Sequence, residues 1–142
     1  MSPTRERSDT RAEVTRRVAL AYVAALNAHD PEAVAACVSE DFVNQHASSL
    51  GQGVVGRAAY RERLPGFLAD FEGLRYEAEA VIADGELAAV PYRLTGTWLG
   101  ASPARHPISL RGVFRLAVRD GLIVERTDYW DSADFRSQTG QT

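Results

Sequence analysis

An aspartate among aromatic and basic residues near the C-terminus is the strongest candidate for acid–base chemistry in this sequence. Strand-like alternation over Val124–Asp131 places Asp128 on the same face as Arg126 and Trp130. Trp130 would shield the carboxylate from water and raise its pKa, whereas Arg126 would lower it. A carboxylate that titrates closer to neutral pH can exchange protons with a substrate. The pattern therefore predicts an acid or base at Asp128, and it leaves open a purely structural ion pair with Arg126.

Other polar side chains could complete such a site. Asn44 and His46 follow the apolar pair Phe42–Val43, and they would either line the mouth of a cavity or belong to an ordinary loop. Arg93 lies on the polar half of a predicted strand, where it would either anchor a carboxylate or face the solvent. Aromatic residues on predicted apolar faces, and therefore available to line a pocket, include Tyr60 and Trp98.

Several kinds of chemistry are excluded by the residue types present. All 16 basic residues are arginine, so no lysine is available as a Schiff base or a general base. The three histidines lack the spacing of metal ligands, and a lone cysteine, Cys37, forms neither an intramolecular disulfide nor a thiolate zinc site. Glycine-rich phosphate loops and a GxSxG motif are missing from the sequence. We therefore expect no metal and no other cofactor.

The composition is that of one ordinary globular domain spanning residues 1–142, with polar, frayed ends at 1–8 and 137–142. The net charge of −3 provides no basic field for nucleic acid or an anionic membrane. No apolar run approaches the roughly 18 residues that a membrane span needs. We expect a cytoplasmic protein that binds neither nucleic acid nor membranes.

Three helices are predicted in the first half of the chain. The first starts at the capping box Thr10–Glu13, and the second runs from Pro31 to about Val38. The third starts at about Arg57 and should be kinked or restarted at Pro65.

Strands are predicted mainly in the second half, after a short strand or turn at 41–46. The hydrophobic period changes to two at residue 74, which predicts strands over 74–82, 86–98, 108–119 and 122–131. Asp84–Gly85 and Asp120–Gly121 are hairpin turn signals. The order of elements predicts an α+β fold with three N-terminal helices packed on one face of an antiparallel sheet.

The segment Arg126–Phe135, followed by Arg136–Gly140, resembles the nuclear-transport-factor-2-like superfamily, in particular the SnoaL-like polyketide cyclases and the limonene-epoxide-hydrolase-like enzymes. The resemblance extends over most of the chain. It implies a curved antiparallel sheet, wrapped as a cystatin-like cone around a pocket that the helices close. It further implies a hydrophobic small-molecule ligand and a homodimer.

The same resemblance implies roles for individual residues. Asp128 corresponds to the acid/base of the cyclases, and Asn44 to the asparagine that follows their first short strand. Their pocket histidine on the penultimate strand is replaced here by Phe114. The epoxide hydrolases need an Asp-Arg-Asp set, of which Asp128 and Arg93 supply two members, while Thr95 occupies the position of the second aspartate.

Three functions therefore remain open. The first is a cyclase or isomerase in which Asp128 forms an enolate and Asn44, His46 or Arg93 stabilises the oxyanion. The second is epoxide hydrolysis, which lacks its second carboxylate. The third is a non-catalytic binding or dimerisation domain in which Asp128 only pairs with Arg126.

Overall fold

The computed structural model describes residues 3–47, 53–100 and 104–141. In this part of the chain the elements follow one another as α1 (Pro3–Asn27), α2 (Pro31–Ala35), β1 (Val38–His46), β2 (Val54–Val55), α3 (Arg57–Ala69), β3 (Phe71–Ala78), β4 (Ile82–Asp84), β5 (Leu87–Trp98), β6 (His106–Arg119), β7 (Leu122–Trp130) and α4 (Ser132–Gln138).

A single curved sheet with the strand order β2-β1-β7-β6-β5-β3 forms the body of the molecule, and β4 extends it beside β5. The predicted α+β class is confirmed, but the sheet is mixed rather than antiparallel, because β1 and β7 pair in parallel. The connection between these two strands runs from His46 to Leu122, about half of the chain, and such a long connection permits a parallel pair. A hydrophobic period of two indicates which face of a strand is buried and carries no information about the direction of its partner.

The helices differ from the prediction at their ends. Helix α1 begins at Pro3 rather than at the Thr10 capping box, so residues 3–8 are helical rather than frayed. Proline is compatible with a first helical turn, and the residues that follow contain no helix breaker. Helix α2 ends at Ala35, because Val38 already pairs with Ile123 in the sheet. Helix α3 continues through Pro65 without a break in its assignment.

The C-terminal segment also differs from the prediction. Instead of a frayed tail, a fourth helix forms, and the Asp131 carboxylate caps it by accepting from the backbone N–H groups of Ala133 and Asp134. The Gln138 side chain holds this helix to β6 through hydrogen bonds to the backbone of Ser109. Thr139 is buried, so order extends beyond residue 137.

The strand predictions hold best at the hairpins. Asp84–Gly85 connects β4 to β5, and Asp120–Gly121 connects β6 to β7. The φ values of 53° at Asp120 and 77° at Gly121 suit a tight hairpin turn. The strand expected over 74–82 is instead divided into β3 and β4, which pair with β5 in registers that differ by one residue: Ala78 lies opposite Tyr92, whereas Ile82 lies opposite Ala89.

Helices α1 and α3 cover the concave face of the sheet and create the core there. Even-numbered residues of β5 and β6, and of β7 from Arg126 onward, point inward, whereas odd-numbered residues of β5 and β6 face outward and include ion-paired arginines such as Arg111 with Glu79. This alternation carries Asp128 to the inner face. No helix in the described ranges is long and apolar enough to cross a membrane. The fully buried aromatic side chains at the centre are Tyr22, Phe42 and Phe114.

Candidate functional site

A cavity of about 140 Å³ lies between the concave face of the sheet and helices α1 and α3. This volume is close to the roughly 150 Å³ void that holds a benzene ring in an engineered core. The buried lining residues are Leu26, Asn44, Tyr60, Leu64, Tyr76, Tyr92, Leu94, Leu110, Arg126 and Asp128, and the more exposed ones at the mouth are His46, Arg63, Phe67, Phe71, Trp130 and Phe135. The cavity is therefore a mostly apolar, ring-sized space with a polar end.

Asp128 lies at that polar end with only 6% of its surface exposed. Its Oδ1 accepts a hydrogen bond of 2.6 Å from the Tyr92 hydroxyl. Burial raises the pKa of the Asp128 carboxyl above its ordinary value, and it outweighs the opposing effects of the Arg126 guanidinium and the Tyr92 hydroxyl. Asp128 is thus a stronger base than an exposed aspartate.

The second carboxylate oxygen of Asp128 is available to a ligand. Oδ2 lies 3.8 Å from His46 Nδ1 and 3.9 Å from Arg126 Nη2, and both distances are too long for a hydrogen bond. Within the described ranges, every fully buried polar side-chain atom has a hydrogen-bond partner. Oδ2 has none, so it must retain contact with the cavity that Asp128 lines.

Arg126 is held rigidly beside this carboxylate. Its Nε donates to Asn44 Oδ1 at 2.8 Å, and its Nη1 donates to the Tyr22 hydroxyl at 3.0 Å. The Tyr22 hydroxyl is in turn 2.6 Å from that of Tyr60, and the guanidinium lies 4.9 Å from the centre of the Phe114 ring. The remaining nitrogen, Nη2, is left to face the cavity and Asp128.

His46 is neutral at physiological pH. Burial, followed by the charges of Arg126 and Arg63, lowers the pKa of its imidazole to about 4. Trp130 Nε1 donates a hydrogen bond of 3.2 Å to His46 Nδ1. Because Nδ1 accepts, the proton of the neutral ring is on Nε2. The 3.8 Å approach of His46 to Asp128 is therefore not an ion pair at neutral pH.

We expect the His46 imidazole to titrate at about 4 in the folded protein, when followed by NMR of the ring nitrogens. The unfolded chain, with a pKa near 6.5, then binds more protons than the native state between about pH 6.5 and 4. The contribution of His46 to stability consequently falls as the pH is lowered through this window. A titration midpoint near 6.5 would contradict the neutral assignment.

Tyr76 presents a second polar group to the cavity. Its hydroxyl makes no hydrogen bond to any residue in the described part of the chain, although the side chain is only 4% exposed and lines the cavity. Burial, followed by the nearby Asp128 carboxylate, raises the pKa of Tyr76, so the hydroxyl keeps its proton. A protonated, buried hydroxyl of this kind is a ready hydrogen-bond donor for a ligand oxygen.

Most of the residues predicted from sequence come together here. Asn44, His46, Tyr60, Arg126, Asp128 and Trp130 all line the cavity.

Two predicted site residues lie elsewhere. Arg93 is exposed on the outer face of β5, where it donates to Ser109 Oγ, so the expectation that it orients a ligand is wrong. Its odd-numbered position on the strand points it away from Tyr92 and Leu94. Trp98 does not line the cavity and instead packs behind Phe135 at 5.3 Å between ring centres.

The structure also shows where the residues compared with the cyclases and the epoxide hydrolases lie. Thr95 has the same parity as Arg93, so its side chain is on the outward-pointing side of β5. Phe114, where the cyclases have a histidine, is fully buried under Arg126. Asp128 is the one carboxylate among the described residues that line the cavity. The described part of the chain contains no group of three or more His, Cys, Asp or Glu side chains that could hold a metal ion.

Tyr76 and Tyr92 were missed from the sequence because each has the pattern of a core residue. A signal was nevertheless present, since a buried tyrosine hydroxyl usually needs a polar partner. Two tyrosines on inward-facing positions of neighbouring strands indicate a polar group on the same face.

A family model described as a SnoaL-like domain matches residues 19–126. Among solved structures, a candidate polyketide cyclase from Xanthomonas campestris is 23% identical with a TM-score of 0.80, and 90% of this chain covers 98% of that one. A candidate SnoaL-like polyketide cyclase from Shewanella denitrificans is 17% identical with a TM-score of 0.81, covering 89% and 97% of the two chains. A candidate ketosteroid isomerase from Kribbella flavida is 30% identical with a TM-score of 0.67, covering 87% and 81%. No protein of curated function matches the sequence.

Proposed function

This chain belongs to the SnoaL-like domain family of the nuclear-transport-factor-2-like superfamily, and we propose that it is an acid–base enzyme that forms an enolate from a hydrophobic cyclic or polyketide-like ketone. The observation that carries the proposal is the environment of Asp128. A buried carboxylate with a raised pKa keeps one oxygen in contact with an apolar cavity of ring size.

In the proposed reaction, Asp128 Oδ2 removes the proton on the carbon next to the substrate carbonyl. The electron pair of that C–H bond forms the C=C bond of the enolate, and the carbonyl π electrons move onto oxygen. Arg126 Nη2 and the Tyr76 hydroxyl are two donors beside Asp128 that line the cavity and can stabilise this oxygen.

The enolate then has two possible fates. Its carbon can attack a second carbonyl of the same molecule, which closes a ring and leaves an alkoxide to be protonated. Alternatively, the proton on Asp128 returns to a different carbon, which isomerises the substrate. The relatives described as candidate cyclases and isomerases support this pair of outcomes.

Epoxide opening is less well supported. That reaction uses a second carboxylate to activate water, and Asp128 has no such companion among the described residues of the cavity. Thr95, at the position considered for that carboxylate, is on a strand position that points outward.

The proposal is tested by following the exchange of α-protons for deuterium. We expect the protein to accelerate exchange at the carbon next to the carbonyl of a small cyclic ketone such as cyclohexanone, measured by proton NMR in deuterium oxide. The rate should fall as the pH is lowered through the pKa of Asp128, because only the carboxylate accepts a proton.

Phenol, which has the shape and the oxygen of a small cyclic enolate, serves as a binding probe in the same experiment. Inhibition by phenol that is weakened in Tyr76→Phe supports the proposed donor. Binding of phenol without exchange of any ketone in a panel of cyclic and aryl ketones would instead indicate a non-catalytic binding domain. Conversion of a cyclic epoxide to a diol would favour the hydrolase.

A further inference from the structure

One position in the inner row of β6 has no side chain. The buried members of that row are Ile108, Leu110, Phe114, Leu116 and Val118, and Gly112 lies among them with the same parity. A glycine inside a strand weakens it and often marks a close approach by another group. The group that approaches here is Tyr92.

Tyr92 pairs directly with Gly112 across β5 and β6, and its ring lies over the glycine. A Cβ atom at position 112 would be 2.4 Å from the Tyr92 hydroxyl oxygen and 2.5 Å from its Cζ, well inside van der Waals contact. It would also be 2.7 Å from the backbone oxygen of Tyr129. The space above Gly112 is therefore already filled by the end of the Tyr92 side chain.

That space is the route by which Tyr92 reaches Asp128. The tyrosine is on β5 and the aspartate on β7, so the hydroxyl must cross the whole of β6 to make its 2.6 Å hydrogen bond. We propose that Gly112 is a positioning residue: its missing side chain lets the Tyr92 hydroxyl cross β6 and hold Asp128 Oδ1, which leaves Oδ2 facing the cavity.

This inference rests on the proposed function only where it gives Gly112 a part in catalysis. The effect of Gly112 on Asp128 itself can be measured without a substrate. The groups that face Asp128 are Tyr92 from β5, Arg126 from β7, His46 from β1, Tyr76 from β3 and Tyr60 from α3. Of these, Tyr92 alone bonds the carboxylate directly among the described residues. When the Tyr92 hydroxyl is displaced, Asp128 loses a hydrogen bond that stabilises the charged form of its carboxyl group.

The test is a carbon NMR titration of the labelled Asp128 carboxyl in the full chain carrying Gly112→Ala, Tyr92→Phe or both. We expect each single variant to raise the Asp128 pKa by about 1, the value of one hydrogen bond to a charged group. The double variant should show no further rise, because both changes remove the same bond. Gly66→Ala is the matched control: it lies in α3, where the added Cβ would have no atom within 4 Å apart from the neighbouring residues and backbone of its own helix, so the Asp128 pKa should not change.

The outcomes separate the two proposals. If Tyr92→Phe raises the pKa and a folded Gly112→Ala does not, the positioning role of Gly112 is overturned. If the titrations behave as expected but the wild-type protein exchanges no ketone protons, Gly112 still positions Asp128 and the proposed function fails.

A second variant covers the case in which Gly112→Ala does not fold. Shortening the opposing side chain in Gly112→Ala/Tyr92→Leu should restore folding if the Tyr92 ring is the obstacle. Failure of this variant as well would assign the glycine to backbone spacing against Tyr129 and overturn the inference.

Discussion

Replacing Asp128 by asparagine is expected to lower kcat/KM for α-proton exchange by roughly 10² to 10⁴-fold, the usual contribution of a general base. Asparagine has nearly the same shape, and its oxygen can still accept the hydrogen bond of Tyr92. It cannot take a proton from carbon. The expected result is therefore a loss of the chemical step with ligand binding retained, measured by exchange rate and phenol affinity.

The same variant should also change how stability depends on pH. Burial raises the pKa of Asp128 above the unfolded value, so between the unfolded and folded pKa values the native state binds more protons than the unfolded chain. Stability consequently falls as the pH rises through that window, and the deficit persists above it. The asparagine side chain does not titrate, so the unfolding temperature of Asp128→Asn should lack this decrease with rising pH, measured by thermal unfolding of both proteins across the acidic to neutral range.

Asp120→Asn provides a matched control with the same chemical change. Asp120 is exposed in the β6–β7 turn with a φ of 53°, a conformation that asparagine adopts readily. Neither exchange rate nor unfolding temperature should change there. Full exchange activity in Asp128→Asn would contradict the assignment of the base.

Replacing Arg126 by leucine is expected to have the largest effect on stability. The guanidinium side chain is 6% exposed, and its removal deprives Asn44, Tyr22 and Asp128 of a buried partner. Breaking a buried charge pair by removing one member typically costs about 3–5 kcal/mol. For a chain of this length, the lower figure corresponds to a decrease in Tm of roughly 10 °C.

Arg93→Leu serves as the control for this prediction, because it removes an exposed guanidinium from the outer face of the sheet. Arg93 donates a hydrogen bond to Ser109 there, and the cost of losing it should stay within about 0.5 kcal/mol. The double variant Arg126→Leu/Asp128→Asn should recover part of the loss, since no unpaired carboxylate then remains. Equal stability of Arg126→Leu and the wild type would show that Arg126 is not required for the fold.

These two predictions address different properties of one polar cluster. Asp128 is the member with an oxygen open to the cavity, and its replacement affects chemistry. Arg126 is tied to β1 and α1 through Asn44 and Tyr22, and its replacement affects the fold. A site of this kind keeps a buried charge for activity at the expense of stability.

The strand pattern was sufficient to predict which face of β7 matters. Alternation over residues 122–131 placed Arg126, Asp128 and Trp130 together, and all three line the cavity. The same rule, applied strictly to β5, puts Arg93 on the outer face, opposite Tyr92. Of the two alternatives that the sequence left open for Arg93, the structure has the solvent-facing one, and the role of a ligand anchor had only the chemistry of the guanidinium in its favour.

The pairing between strands could not be obtained in this way. Asn44 meets Arg126 because β1 and β7 run parallel in a register that pairs these two residues. They are separated by 82 positions in the chain. A local hydrophobic period carries no information about such a partner, its direction or its register.

Residue types and spacing were thus enough to predict the α+β class, the hairpins and the inward position of Asp128, because these depend on near neighbours in the chain. The reach of Tyr92 across Gly112, the contact of Trp130 with His46 and the open oxygen of Asp128 depend on distances of a few ångströms between elements far apart in sequence. Those distances exist only once the sheet has curved and the helices have closed over it, and they decide which side chain can act as a base.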